Sequence, residues 1–365
     1  MKKYFVYLLK KNLIPLACLT LFCLLLYVMP IAGTDYSYWN TIGWSEQYHS
    51  YLDSGLHYSS ILTALALISM FVPTYLFSYK MDKRSVDMYY SLPLNKTHIL
   101  TVNFLVGLIM IYAPYTVAYL WGFILIAAKV QRLYLIYYLY IYLASIIPAF
   151  IIYAITSFMF TRANTRRDGI SAVIGAMCLP ALAIVTISAL LSSYDWNPSG
   201  MLNASVFAFG PLAKVTSALG GAIKTGEVSG WFNPDSSSFT KSRDTWELIY
   251  SILWLLVAVA ATVGLILGEK KTKAENCKQI SESIFCYKVQ IPIYMTLLSI
   301  LGSVGGLPSM LMIAFFAYIA SIGYKRSPKI GWKFAIVLGS CIIGGFLIGV
   351  IFLYNSILFQ LGSLL

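Results

Sequence analysis

The amino-acid sequence predicts an all-α polytopic membrane protein, with a core of six spans followed by a C-terminal membrane extension of a hairpin and one further span. Hydrophobic residues make up 59% of the 365 positions and charged residues only 11%, whereas soluble domains carry about 25% charged residues. Uncharged apolar runs of about 20 residues, enough for a helix to cross the hydrocarbon core, recur along the chain. These observations exclude a water-soluble enzyme.

Seven apolar runs are long enough to be single helical spans. They cover residues 13–33, 58–78, 99–128, 133–160, 169–192, 248–267 and 334–354. The uncharged stretch 289–324 is interrupted by glycines and by Pro308, and both residue types disfavour a helix interior. We therefore expect a hairpin of two short helices that turns at 305–308. Each arm has about 15 residues, so the sequence leaves open whether the hairpin crosses the membrane fully.

The distribution of charge predicts the orientation of the chain. The 26 Lys and Arg exceed the 14 Asp and Glu, an excess that fits a nucleic-acid binder, a membrane-surface protein or a membrane topology. Most of the cations fall in five segments on one side of the membrane, and cytoplasmic loops are enriched in Lys and Arg. These segments are 1–12, 79–98, 161–168, 269–288 and 325–333. We therefore expect a multi-pass cell-membrane protein with a cytoplasmic N-terminus and no nucleic-acid partner.

The order of the spans divides the chain into two parts. Residues 1–268 form the six-span core, which includes a long outer segment at 193–247. Residues 269–365 form a cytoplasmic linker, the apolar hairpin 289–324 and the last span 334–354. The outer segment mixes turn-rich sequence with apolar residues, which suits either a structural lid or a substrate gate.

The sequence has no recognisable catalytic constellation. It lacks the G-x-x-x-x-G-K-[ST] motif of P-loop ATPases, the H-E-x-x-H motif of zinc proteases and the G-x-S-x-G motif of serine hydrolases. No Asp, Glu, Lys or Arg lies near the centre of a predicted span, and ion-coupled carriers need an ionisable or coordinating group at that depth. We expect no enzyme activity, cofactor or metal on this chain. Energy for uphill transport would then enter from outside the membrane.

The connection between the second and third spans predicts a short amphipathic helix. Residues 82–92 can form three helical turns, Pro93 stops them, and Asn95 is a suitable N-cap for the next span. The helix has an apolar face with charged side chains around it. These are Val86, Tyr89 and Tyr90 on the face, and Lys83, Arg84 and Asp87 around it. A soluble partner could bind a short rigid helix of this kind and, by pushing it, move the two spans on either side.

The string K-R-S-V-D-M-Y-Y-S-L-P-L-N-K-T-H-I-L in this connection resembles the signature between the second and third spans of ABC-2-type ABC transporter permeases. In that family a cation and a carboxylate precede a Ser-Leu-Pro turn before span three. The resemblance implies that residues 83–92 are a coupling helix that docks into a groove of an ABC ATPase. It also implies that residues 1–12 are an amphipathic interfacial helix. The extension 269–365 has no counterpart in the six-span family core.

The residues assigned to the coupling helix are Lys83, Arg84, Val86, Asp87, Tyr89, Tyr90 and Leu92. A second cytoplasmic contact is a hypothesis for the basic residues after span four, which topology explains equally well. These are Arg162, Arg166 and Arg167. The implied partners are cytoplasmic ABC ATPase subunits that bind ATP and Mg, a second permease chain, identical or homologous, and the lipid bilayer.

The expected function is that of the membrane subunit of an ATP-driven transporter. It would export a hydrophobic or amphipathic substrate such as a peptide, lipid or drug, energised by a separate ATPase subunit. The overall pattern resembles bacterial permeases linked to antimicrobial peptides or cell-envelope stress. The alternative is an ATPase-independent channel or passive carrier, which copurification with a P-loop protein would distinguish from the first hypothesis.

Overall fold

The structure, a computed structural model, is almost entirely helical in the part of the chain it describes. That part comprises residues 2–33, 58–91, 93–129, 135–191, 238–269, 277–279, 283–303, 306–325 and 331–362. Within these ranges only short turns interrupt the helices, and there is no strand. Six of the described helices are long and apolar enough to cross a membrane. The prediction of an all-α polytopic membrane protein is therefore confirmed.

The helices follow the predicted order. They are α1 (Lys2–Lys11), α2 (Leu13–Gly33), α3 (Tyr58–Leu76), α4 (Lys83–Tyr90), α5 (Lys96–Lys129), α6 (Leu135–Thr161), α7 (Arg166–Leu191), α8 (Ser238–Glu269), α9 (Val289–Gly302), α10 (Gly306–Lys325) and α11 (Trp332–Gly362). A 3₁₀ turn at Phe77–Met81 joins α3 to α4, and a π-type turn at Ile284–Lys288 precedes α9. Each predicted single span corresponds to one helix. The predicted outer segment lies outside the described residues, apart from positions that open α8.

The predicted hairpin is present as α9 and α10, but its arms are unequal. They contain 14 and 20 residues, which corresponds to about 21 and 30 Å of helix. Helix α9 ends at Gly302 and α10 begins at Gly306, slightly earlier than the predicted turn at 305–308, and Gly306 adopts a left-handed φ of 65°. Pro308 is accommodated in the first turn of α10, where its missing N–H is not needed. The Ser309 hydroxyl donates across the turn to the Gly302 carbonyl.

The described helices group into two compact units. The first contains α1 to α5, most of α6, and α8; the second contains α7, α9, α10 and α11. The fifth predicted span, α7, thus groups with the C-terminal extension rather than with the six-span core. The contacts of α7 explain this grouping, because Gln290 Nε2 donates to the Ala172 carbonyl at 3.0 Å and the Tyr294 hydroxyl donates to the Gly175 carbonyl at 2.6 Å.

Tyrosine rings and hydroxyl groups fix the interior of the first unit. A Cβ at Gly122 of α5 would overlap the Tyr27 ring of α2, and that ring stacks on Tyr119 with centroids 6.0 Å apart. The Tyr115 and Ser145 hydroxyls share a hydrogen bond of 2.6 Å between α5 and α6. Buried hydroxyls need such partners in an apolar interior. The pairings therefore fix the packing of α2, α5 and α6.

Glycines set the packing of α9 against α11 in the second unit. A Cβ added at Gly345 would lie 2.6 Å from the Thr296 carbonyl oxygen, and one added at Gly349 would lie 2.8 Å from the Ile300 carbonyl oxygen. Both distances are shorter than van der Waals contact. The two backbones therefore meet directly, which is the packing that small residues at i and i+4 allow.

Candidate functional site

The predicted short amphipathic helix between the second and third spans is α4. It begins after Asp82, which has an extended backbone, and ends at Ser91, whose N–H bonds to the Asp87 carbonyl. The helix ends before the predicted boundary at 92, since Pro93 disfavours helical conformation at the residue before it. The next helix, α5, begins directly after Asn95, in agreement with the predicted N-cap position.

The apolar face of α4 packs against the chain itself. Val86 and Tyr89 are only 3% and 7% exposed. The Tyr89 ring lies against the Tyr79 ring of the preceding 3₁₀ turn, with centroids 4.6 Å apart. Burial of this face within one chain is the expected outcome for an amphipathic helix that is tethered at both ends.

Tyr89 also connects α4 to α1. The Lys11 ammonium donates to the Tyr89 hydroxyl at 3.2 Å, and this hydrogen bond raises the pKa of Lys11 above its ordinary value of 10.5. On the same face of α1, the Tyr4 hydroxyl accepts a bond from the Asn103 amide of α5 at 3.5 Å. Burial raises the pKa of Tyr4 to about 12. The helix expected within residues 1–12 is therefore present as α1, and one of its faces is docked on α5 and α4.

A buried ion pair connects this region to the end of α8. Lys80 and Glu269 form a salt bridge in which the side chains are 8% and 2% exposed. The Tyr90 hydroxyl donates to the second Glu269 oxygen at 3.3 Å. The Lys96 ammonium at the start of α5 lies 4.4 Å from the centroid of the Tyr90 ring, a cation–π contact.

We call this set of contacts the α4 junction. It consists of Lys11, Lys80, Tyr89, Tyr90, Lys96 and Glu269. The junction attaches α4 to α1, α5 and α8 by side chains, in addition to the covalent connections at both its ends. A displacement of α4 would therefore act on several helices of the first unit together.

The pair Lys80–Glu269 is absent from the predicted site. Lys80 contributes to the charge pattern only as one more cation, and Glu269 belongs to the predicted linker. A local signal does exist, because Glu269 directly follows an apolar span and precedes Lys270 and Lys271. A carboxylate at the end of a span is costly unless it is solvated or paired, so its position suggests a partner without identifying it.

The outward side of α4 carries the charged residues of the predicted site. Lys83, Arg84 and Asp87 are exposed, and Met88, at 57% exposure, lies among them. Leu92 lies outside the described residues. A soluble partner would therefore meet a mixed-charge surface with one thioether, whereas the aromatic residues of the predicted site serve to dock the helix.

The second predicted contact lies at the start of α7, in the second unit. Arg166 and Arg167 are exposed in the first turn of α7, and Arg162 is partly buried. Cations in the first turn oppose the helix dipole, so the two exposed arginines are not there to stabilise α7. The N-terminus is instead capped by Thr165, whose Oγ1 accepts a bond from the Asp168 N–H at 3.3 Å.

The fold and this geometry define a polytopic α-helical membrane protein with a short helix tethered between α3 and α5 of its first unit. Searches against protein-family models, curated proteins and solved structures find no match for the chain. The resemblance to ABC-2-type permeases therefore rests on the residues of the α4 connection and stays a prediction.

Proposed function

We propose that this chain is the membrane subunit of an ATP-driven transporter of the ABC-2 type, and that α4 receives the movement of a separate cytoplasmic ATPase. The observation that carries the proposal is the α4 junction. Tyr89 joins α4 to α1, and Tyr90 joins it to α5 and α8. A helix that transmits movement must be attached firmly to the helices that it moves, and these contacts attach α4 to α1, α5 and α8.

The division of α4 into two sides supports the same proposal. Its inner side is closed by Val86 and Tyr89, while Lys83, Arg84, Asp87 and Met88 remain outside. This surface can make charge-assisted hydrogen bonds and one apolar contact with a soluble protein. ATP and Mg bind on the partner, the N-terminus and α4 face the cytoplasm, and the chain resides in a bacterial cell membrane together with a second permease chain.

The interior of the first unit supports an uncharged cargo. Most of the described polar contacts along its apolar helices are made by hydroxyls, such as the pair Tyr115–Ser145 and the Thr116 hydroxyl, which lies 2.8 Å from that of Tyr142. Aromatic rings and hydroxyls bind amphipathic molecules rather than ions. The proposed substrate is therefore a peptide, lipid or drug of amphipathic character, and the proposed direction is export.

Coexpression of the full chain with any P-loop ATPase encoded near its gene tests the proposal. We expect a stable complex whose ATP hydrolysis in vesicles is lost when Arg84→Glu and Met88→Asp remove the outward contact. The matched control is Lys333→Glu with Gln279→Asp, which makes the same change in net charge at exposed residues of the second unit. Substrate movement by the purified chain alone, without nucleotide, would contradict the proposal and favour a channel or passive carrier.

A further inference from the structure

The N-terminal helix α1 has an outward face of unusual composition. Its sequence KKYFVYLLKK contains four lysines and no acidic residue. The docked face carries Tyr4, Leu8 and Lys11, which repeat at helical spacing. The opposite face is exposed. It consists of Lys2, Lys3, Val6, Tyr7 and Lys10.

The outward face combines cations with exposed apolar side chains. Val6 and Tyr7 are 48% and 55% exposed and lie between the lysines along the helix. Only Asn12 separates α1 from α2, whose first residues Leu13 and Ile14 are 55% and 78% exposed. Because α2 is a candidate membrane span that starts at Leu13, α1 is held at the membrane surface. Its apolar residues are then placed to enter the bilayer beside lysines whose stems reach back to the headgroups.

The charge of this face determines which headgroups it fits. Among the described residues, no carboxylate lies within ion-pair distance of the Lys2, Lys3 or Lys10 ammonium group. Lys11 differs from them, because its ammonium is engaged by Tyr89. Three ammonium groups on one exposed face, with no compensating acid on the helix, are complementary to a negatively charged surface.

We propose that α1 binds anionic phospholipid headgroups through Lys2, Lys3 and Lys10, with Val6 and Tyr7 inserted at the acyl boundary. Lys11 joins the lipid-bound helix to Tyr89 of α4, so lipid binding also stabilises the docked position of α4. This interaction does not depend on the proposed transport function. It requires only that α1 lie at a membrane surface.

Hydrogen–deuterium exchange of the full chain in lipid nanodiscs tests the proposal. The discs contain phosphatidylcholine alone or phosphatidylcholine mixed with phosphatidylglycerol. Each lysine near an anionic surface strengthens binding by a factor of about five, so exchange in residues 2–11 should slow by about tenfold or more in the mixed lipid. High salt should reverse the effect, because it screens exposed charges. Equal exchange in the two lipids would overturn the proposal.

Two triple variants locate the effect. Lys2→Gln, Lys3→Gln and Lys10→Gln together should abolish the slowing. The control carries Lys278→Gln, Lys288→Gln and Lys333→Gln, exposed lysines of the second unit, and should retain it at the same net charge. Loss of the effect in the control would show a general charge effect and overturn the site. Slowing by inorganic phosphate in phosphatidylcholine discs would also overturn it, since a free anion would then suffice.

The link to α4 has its own test in the same experiment. Exchange in residues 83–90 should slow in the mixed lipid for the wild-type chain. With Lys11→Met, exchange in α1 should still slow while exchange in α4 should not. Slowing of α4 that persists in Lys11→Met would overturn the link through Tyr89. Hydrogen–deuterium exchange in α5, measured in phosphatidylcholine alone, checks that each variant is folded. The salt dependence of exchange in the wild-type chain tests lipid binding without any substitution.

Discussion

The α4 junction of the first unit and the α9–α11 contact of the second unit hold helices together by different means. In the first unit, side chains with charge or hydroxyl groups make the long-range connections around α4, among them the buried Lys80–Glu269 pair. In the second unit, α9 and α11 meet backbone to backbone at Gly345 and Gly349. A steric contact of this kind has one fixed geometry. A set of ionic and aromatic contacts can be made, broken and remade, which suits the movement proposed for α4.

Breaking the Lys80–Glu269 ion pair should have the largest effect on the free energy of unfolding. Glu269→Ala leaves Lys80 as an uncompensated buried charge, which costs about 3–5 kcal/mol in the free energy of unfolding. Denaturing-detergent titration of the purified chain measures this loss. The double variant Lys80→Met with Glu269→Leu should recover most of the stability, since well-packed apolar pairs often replace buried ion pairs without loss.

The same double variant separates stability from coupling. If the junction transmits movement, the apolar pair should be stable but should stimulate the ATPase poorly, because Tyr90 loses its carboxylate acceptor. Asp87→Asn, at an exposed acidic position on the outward side of α4, is the stability control and should change unfolding by no more than about 0.5 kcal/mol. A Glu269→Ala chain as stable as wild type would refute the role of the pair.

Filling the glycine contact tests the second unit. Gly349→Leu forces side-chain atoms into the backbone of α9 and should cost about 1–3 kcal/mol, with no dependence on salt. Gly339→Leu on the same helix is the matched control, because a Cβ there meets nothing within 4 Å. Equal stability of the two variants would mean that α9 and α11 are not held by close approach.

The contacts of α1 predict a dependence on alkaline pH. The raised pKa values of Lys11 and Tyr4 mean that the folded chain retains protons that the unfolded chain has lost. The free energy of unfolding therefore includes the full contribution of these two groups at neutral pH. That contribution declines as the pH rises through about 10 to 12. The unfolding midpoint between pH 9 and 12 should fall more steeply in the wild type than in Tyr4→Phe with Lys11→Met.

A change at an exposed tyrosine provides the control for that slope. Tyr354→Phe alters a side chain that is 63% exposed and should leave the pH dependence as it is in the wild type. If the wild type and Tyr4→Phe with Lys11→Met give parallel curves, the docking of α1 does not depend on these two groups.

The arginines of α7 should give the smallest effect. Arg166→Gln with Arg167→Gln removes cations from the unfavourable end of the helix dipole, so unfolding should be unchanged or harder by no more than about 1 kcal/mol. Thr165→Ala, which removes the cap, should instead destabilise by about 1 kcal/mol. A marked loss of stability in the arginine variant would contradict this expectation. It would show that these cations stabilise the second unit, as Lys80 stabilises the first.

The sequence predicts the helices because length and hydropathy are local properties. The run 289–324 also reveals its hairpin locally, through its glycines and Pro308. It does not reveal that Glu269 pairs with Lys80, since these residues are 189 positions apart and each resembles an ordinary charge near a span end. The grouping of α7 with α9 is hidden for the same reason, because it depends on Gln290 and Tyr294 reaching backbone carbonyls in a distant helix.

The aromatic face of α4 shows a further limit of sequence patterns. Amphipathicity indicates that Val86, Tyr89 and Tyr90 will be covered, but it does not say by what. In the structure Val86 and Tyr89 are covered by the chain itself and Tyr90 contacts Lys96 and Glu269. The exposed Lys83, Arg84 and Met88 are therefore the better positions for testing a partner.

Because the first arm of the hairpin is short, the stability of the second unit should depend on the thickness of the bilayer. Helix α9 is about 21 Å long against a hydrocarbon layer of about 30 Å, so either the lipid thins beside it or the turn into α10 remains submerged. The Ser309 hydroxyl satisfies a carbonyl at that turn, as a backbone away from water requires. Short-chain lipids should relieve this mismatch, and long-chain lipids should strain the second unit first.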